Sequence, residues 1–236
     1  MSFYNNKLNS KKYFKILDNN FSKKFILENL GMLIGDKSMH RLMKLSEILT
    51  EIKNVKGDII EFGIWNGNNL FSIKKMIDYH KINKKIYGFD NFSGFPNPQK
   101  LKKKIKGKYI GRPQLIKKII SFFKLKNVHI INDDIMRLSK YMKKFNRVSF
   151  IYIDCNVYQV VEKILNDMNS KISSGGIIAF DEARNKFNTD EGRAMMKFYK
   201  ENKKDYKLIK LNPNYQPDAI LIKRWTILIF FRLIFY

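Results

Sequence analysis

The feature that most constrains this chain is a short apolar run followed by an amphipathic one, repeated five times, with acids at the ends of the apolar runs. Residues 59–63 (Ile-Ile-Glu-Phe-Gly) are too short and too continuously apolar for a surface helix and predict a buried parallel strand. Residues 70–80 place Leu70, Ile73, Met76 and Ile77 at helical spacing. The unit recurs as strand 86–90, helix 113–123, strand 128–131, helix 135–145, strand 148–154 and helix 160–172. Residues 173–176 (Ser-Ser-Gly-Gly) then read as a connection into strand 177–181. Such alternation predicts an α/β fold, a doubly wound and mostly parallel sheet that binds its ligands at the carboxyl ends of its strands. A helix over 192–201 and strands over 206–211 and 219–223 would close the sheet as an antiparallel hairpin. Before the first strand, residues 27–52 have helical periodicity, broken at Gly35-Asp36. Three parts follow: a helical N-terminal extension (1–53), the α/β domain (54–224) and an apolar tail (225–236).

Composition narrows the function classes. An apolar content of 44% with 14% aromatics supplies a core, which excludes a disordered chain, and a single cysteine, Cys155, excludes a disulfide scaffold. The first residues alternate Lys and Asn with isolated aromatics and carry no apolar signal region, so the expected location is the cytoplasm. The net charge of +25 invites a nucleic-acid reading, but 38 of the 46 basic residues are Lys and 8 are Arg. Lys is a hydrated point charge on a flexible stem, whereas Arg is the planar fork that reads phosphates and base edges. A solvated lysine surface is therefore the preferred reading, and a nucleic-acid partner is not expected. The tail from Trp225 is apolar but interrupted by Arg232 and shorter than the ~20 residues that cross a bilayer. It is expected to pack on the core or on a partner subunit of a homo-oligomer, with peripheral contact to the inner membrane face as the alternative.

Acidic residues number only 21, yet Glu61, Asp90, Asp133, Asp134, Asp154, Asp181 and Glu182 all fall at predicted strand ends. Gly63 and Gly67 flank a turn that lets the main chain approach a ligand just before a helix begins. The spacing is neither the dinucleotide G-x-G-x-x-G nor a P-loop, which argues against NAD and ATP. Asp90, at the end of the neighbouring strand, is placed to accept hydrogen bonds from a ribose diol.

Four blocks in order then carry a family resemblance: residues 57–67 (GDIIEFGIWNG), 87–96 (YGFDNFSGFP), 153–158 (IDCNVY) and 175–182 (GGIIAFDE). Together they resemble the macrocin O-methyltransferase (TylF-type) family over about residues 30–200. The resemblance implies a class I S-adenosylmethionine fold and metal-dependent methylation of a hydroxyl, typically on a sugar. Carried over by position, it implies that Glu61 and Gly63 meet the methionine end of the cofactor, with Asn69 in the same region. Asp90, with Asn91 and Phe92, would meet the ribose, and Asp133, with Asp134, the adenine side. Asp154, Asp181 and Glu182 fall on the family's acidic metal site. Two departures stand out: Asn156 replaces the usual second acid after Asp154, and Asn68-Asn69 replaces small residues after the glycine turn.

The residue chemistry is consistent with that implication. A sugar hydroxyl is a poor nucleophile at neutral pH; a hard cation such as Mg²⁺ on three carboxylates would acidify it, and Asp154 would take the proton. His40, His80 and His129 are scattered and are read as neither metal ligands nor bases. The expected function is thus an S-adenosylmethionine- and Mg²⁺-dependent O-methyltransferase acting on a sugar-containing small molecule or a nucleotide-linked sugar. A Lys-rich loop over 98–111 is the expected lid. Tyr158 and Arg184 are further candidates for substrate contact. An RNA methyltransferase and a non-catalytic relative of the same fold remain as alternatives.

Overall fold

The computed structural model describes Ser22, Phe25 and residues 34–94, 109–183 and 189–225. Their elements are α1 (Asp36–Glu51), β1 (Asp58–Phe62), α2 (Asn68–Tyr79), β2 (Ile86–Asp90), α3 (Pro113–Phe122), β3 (Val128–Asn132), a 3₁₀ helix (Ile135–Lys144), β4 (Val148–Ile153), α4 (Tyr158–Met168), β5 (Ile172–Phe180), α5 (Asp190–Glu201), β6 (Tyr206–Lys210) and β7 (Ala219–Lys223). The strands form one seven-stranded sheet in the order β3-β2-β1-β4-β5-β7-β6. The first five are parallel, and β7 and β6 add antiparallel to them. The chain leaves β1 to opposite sides, towards β2 and towards β4, and the crevice at that switch point is where doubly wound sheets bind ligands.

The two-residue period of the strands sorts the core into two layers. Ile60, Phe62, Ile151, Ile153 and Phe180 pack with Ile164 of α4 and Phe198 of α5. Ile59, Phe150, Tyr152 and Ile177 pack with Leu49 of α1 and Ile73 of α2. Each such large side chain, taken wholly from water, stabilises the fold by about 1.5–3 kcal/mol. Glu61 falls on the same face as Ile59, so alternation alone drives a carboxylate into the core at 2% exposure.

Two elements differ from the sequence expectation. The helix expected over 135–145 is a 3₁₀ helix over Ile135–Lys144. Its apolar residues Ile135, Leu138 and Tyr141 recur every third position, which matches three residues per turn and keeps them on one face. The second difference concerns residues 172–176, expected as a helix end and a connection. Here α4 stops at Met168 and β5 already begins at Ile172. Val148 pairs with Ile172 and Phe150 with Ile177, so a bulge in β5 absorbs three extra residues. Gly175 makes this possible at φ +78, and Trp225 lies against it, where a Cβ would come within 2.7 Å of the indole. Among the described residues no helix is long and apolar enough to cross a membrane. The predicted helix over 27–33, most of the lid, Arg184 and the tail beyond Trp225 lie outside the described residues.

Candidate active site

A cleft of about 320 Å³ opens at the carboxyl ends of β1, β2, β4 and β5. The turn after β1 shapes its floor. Gly63 adopts φ +86 with its Cβ direction only 2.0 Å from the Asp154 carbonyl oxygen, so only glycine fits. The Gly63 amide donates to the Phe89 carbonyl and the Asp154 amide to the Phe62 carbonyl, both at 2.9 Å, which ties the ends of β1, β2 and β4 together. Gly67, also left-handed, caps α2 without a side chain, leaving the first turn of that helix close to the cleft.

Around this turn, behind the cleft lining, lie buried polar atoms that the protein itself does not satisfy. Glu61 is buried with Oε2 unpartnered, and the side-chain oxygen of Asn66 and both amide atoms of Asn69 also lack partners. Burial pushes the Glu61 pKa from 4.5 up to about 8. Unsatisfied buried groups cost free energy, and a cluster of them points to a bound partner. Asp90 stands alongside. Its two oxygens accept from the amides of Trp65 and Phe92, each at 2.7 Å. Burial raises its pKa and these amides work against the rise. Asn91 lines the cleft and accepts from the Ser93 amide at 2.9 Å, while Phe92 is buried beneath it at φ +57.

Asp133 and Asp134 do not line this cleft. Asp133 accepts from the Tyr141 hydroxyl at 2.8 Å and pairs with Arg137 at 3.3 Å. Asp134 caps the 3₁₀ helix by accepting from the Met136 amide at 2.9 Å. Their neighbour Ile135 reaches the cleft instead.

Asp154, Asp181 and Glu182 converge on the opposite side. The Asp154 carboxyl is held well above the usual range, first by burial and then by Asp181. Asp181 is also raised, by burial, with Arg41 and Tyr152 pulling it back. Its oxygens are engaged: Oδ1 accepts from the Tyr152 hydroxyl at 2.5 Å and meets Arg41 Nη2 at 3.1 Å, and Oδ2 accepts from Gln216 Nε2 at 2.6 Å. The same amide nitrogen donates to Glu182 Oε1 at 2.8 Å. Among the described residues no group of three His, Cys, Asp or Glu is arranged to hold a metal ion. As they stand, the three acids do not fit the expected Mg²⁺ site, because a hydroxyl, a guanidinium and an amide take three of the four lone-pair sites of Asp181.

Four contributors escaped sequence reasoning. Arg41 and Gln216 lie about 175 residues apart and meet only in the fold. Tyr152 reads in sequence as an apolar strand residue, and its hydroxyl becomes visible as a donor once β5 is alongside. Glu191, wholly buried at the start of α5, accepts from the Glu182 amide at 3.1 Å and from the Asn156 amide at 3.5 Å, bracing both acidic loops. At the mouth, Trp65 and Tyr109 meet edge to face at 5.6 Å, both partly exposed, and Trp65 Nε1 donates to the Ile110 carbonyl at 3.2 Å. Tyr158 instead donates to Glu162 at 3.0 Å and lies under Arg193.

Comparison with known proteins places this geometry. The sequence profile of the macrocin O-methyltransferase (TylF) family matches residues 28–212. A structure of CalS11, a calicheamicin methyltransferase, superposes with TM-score 0.75 at 18% identity, covering 94% of this chain and 95% of that one. An apo structure of CalS11, described as a TDP-rhamnose 3'-O-methyltransferase, gives TM-score 0.71 at 21% identity over 91% and 92%. The O-methyltransferase NovP gives 0.66 at 15% identity over 80% and 81%. At these identities the likeness establishes the fold. No curated protein matches significantly.

Proposed function

Since the chain belongs to the macrocin O-methyltransferase family and is therefore an S-adenosylmethionine-dependent O-methyltransferase, we propose that it methylates a hydroxyl of a sugar carried on a nucleotide or another small molecule. The observation that carries this reading is one cleft that joins a glycine turn, with buried unsatisfied polar groups around it, to a buried carboxylate of raised pKa. The first suits the cofactor. Glu61 and Asn69 supply hydrogen-bonding groups for its charged amino-acid end, Gly63 lets the main chain approach, and Asp90 has lone pairs left for a ribose diol beside Asn91 and Phe92. When bound, S-adenosylmethionine supplies an electrophilic methyl group on a sulfonium.

The rest falls to the protein's own side chains. Asp154 would accept the proton that the acceptor hydroxyl releases. A carboxylate whose pKa is raised by burial and by Asp181 is a stronger base than an exposed one, and Arg41 works against that rise. Trp65 and Tyr109 offer flat apolar faces at the mouth, suited to the C–H face of a sugar or to a nucleobase. A sugar acceptor agrees with CalS11, described as a TDP-rhamnose 3'-O-methyltransferase, which shares the fold of this chain. No step is assigned to Mg²⁺, since Asp181 is engaged by protein groups and no group of three acids among the described residues is arranged to hold it.

The test is calorimetric titration with S-adenosylmethionine, followed by methyl transfer to a panel of nucleotide-linked deoxysugars. Micromolar cofactor binding with a methylated sugar is the expected result. Failure to bind the cofactor at millimolar concentration would overturn the reading.

A further inference from the structure

Arg41 comes from α1, outside the strand-and-helix repeat, yet its guanidinium lies among the acids of the cleft. Its side chain is 22% exposed, Nη2 lies 3.1 Å from Asp181 Oδ1, and Nη2 also donates to Gln216 Oε1. Burial opposes its charge, but Tyr152, Asp181, Asp154 and Glu61 outweigh that penalty and raise its pKa. Gln216 holds the arrangement from both ends, its oxygen on Arg41 and its nitrogen on Asp181 and Glu182. The neighbouring residues repeat the connection: His40 stacks on Tyr215 at 4.6 Å, and His40 Nδ1 donates to the Gln216 carbonyl at 3.3 Å. Helix α1 is thus clasped to the segment between β6 and β7, directly over the acidic end of the cleft.

We propose that Arg41 is the resident counter-cation of the Asp154–Asp181–Glu182 cluster, and that a divalent cation enters there only when the Arg41–Gln216 clasp opens. Two positive charges within a few ångströms, largely screened from water, repel strongly, so the two occupants exclude each other. Tyr152, Arg41 and Gln216 also take three of the four lone-pair sites of Asp181, both of those on Oδ1 among them. The proposal rests on the methyltransferase reading only for the use made of the acids. The competition itself is electrostatic.

The experiment is Mn²⁺ binding to the full chain, followed by electron paramagnetic resonance, for wild type, Arg41→Gln and Arg41→Lys. Arg41→Gln is expected to bind Mn²⁺ about tenfold or more tightly than wild type, because removing a charge removes the competitor. Arg41→Lys keeps the charge and is expected to gain clearly less. Equal or weaker binding by Arg41→Gln, or an equal gain in Arg41→Lys, would overturn the proposal. Should Arg41→Gln fail to fold, Gln216→Ala decides, since it leaves Arg41 in place but releases its anchor: tighter Mn²⁺ binding supports the clasp, and unchanged or weaker binding overturns it. S-adenosylmethionine is titrated into the same samples. Cofactor binding with unchanged Mn²⁺ affinity sinks the clasp alone, whereas lost cofactor binding sinks the methyltransferase reading and leaves the Mn²⁺ series to decide the clasp.

Discussion

The two ends of the cleft solve the same problem, buried acids in a sheet crevice, in opposite ways. At the glycine turn, Glu61, Asn66 and Asn69 keep side-chain atoms that no protein group satisfies. Across the cleft, Asp181 and Glu182 are met by Tyr152, Arg41 and Gln216. The turn end therefore carries a standing cost that a ligand can relieve on arrival. At the acidic end Asp181 and Glu182 already have partners, and a group that binds to them must first displace one. One end favours tight binding of a preformed shape, and the other favours exchange.

Gly63 joins the two ends, so its loss should have the largest effect. Gly63→Ala forces a Cβ into the Asp154 carbonyl and a strained φ on alanine. A loss of about 3 kcal/mol or more in stability is expected, with cofactor binding lost as well; denaturant unfolding and calorimetry measure it. If the variant is as stable as wild type and binds cofactor, the two ends are not coupled through this turn.

Asp154→Asn tests whether chemistry and cofactor binding separate across the cleft. Methyl transfer should fall about 100-fold or more while S-adenosylmethionine affinity stays near that of wild type. Single-turnover rates and titration on the same protein check this. A wild-type rate would move the proton acceptor elsewhere.

Glu61 sharpens the comparison through pH. Its folded pKa of about 8 stands above its ordinary 4.5, so the folded state holds the proton over that interval and the unfolded state does not. The stabilisation is complete below pH 4.5, shrinks as pH rises and is gone above about 8. The cofactor-free protein should lose about 2 kcal/mol between pH 5 and 8, less than the full shift implies because real sites relax. Glu61→Gln should flatten that slope, which thermal melts across the interval would show. Cofactor binding near pH 7 should also release about one proton as Glu61 ionises, a quantity read by calorimetry in two buffers. Parallel pH profiles for variant and wild type would remove Glu61 from this role.

The smallest effect belongs to Gln216→Ala. It frees Asp181 Oδ2 and one oxygen of Glu182 at the edge of the cleft, where solvent can partly replace the lost bonds. A stability loss of about 1 kcal/mol is expected by denaturant melting. A loss several times larger would mean that the acidic end is built for rigidity and not for exchange.

Period and punctuation in the sequence were enough to specify the parallel strands, the helices between them and the acids at the strand ends, because each depends on residues within a few positions of one another. Glu61, Asp90, Asp154, Asp181 and Glu182 were legible in this way, as were the glycines of the first turn. The 3₁₀ helix at Ile135–Lys144 and the bulge that starts β5 at Ile172 were not, since helix type and register answer to the neighbours they pack on. Nor could spacing separate Asp133 and Asp134 from the cleft acids, because the same residue types serve at a strand end, a helix cap and a ligand site. The state of the acidic end was decided only in three dimensions. Arg41 and Gln216 have no local pattern in common, and their charge and amide reach Asp181 only because α1 and the β6–β7 connection come together over the ends of β4 and β5.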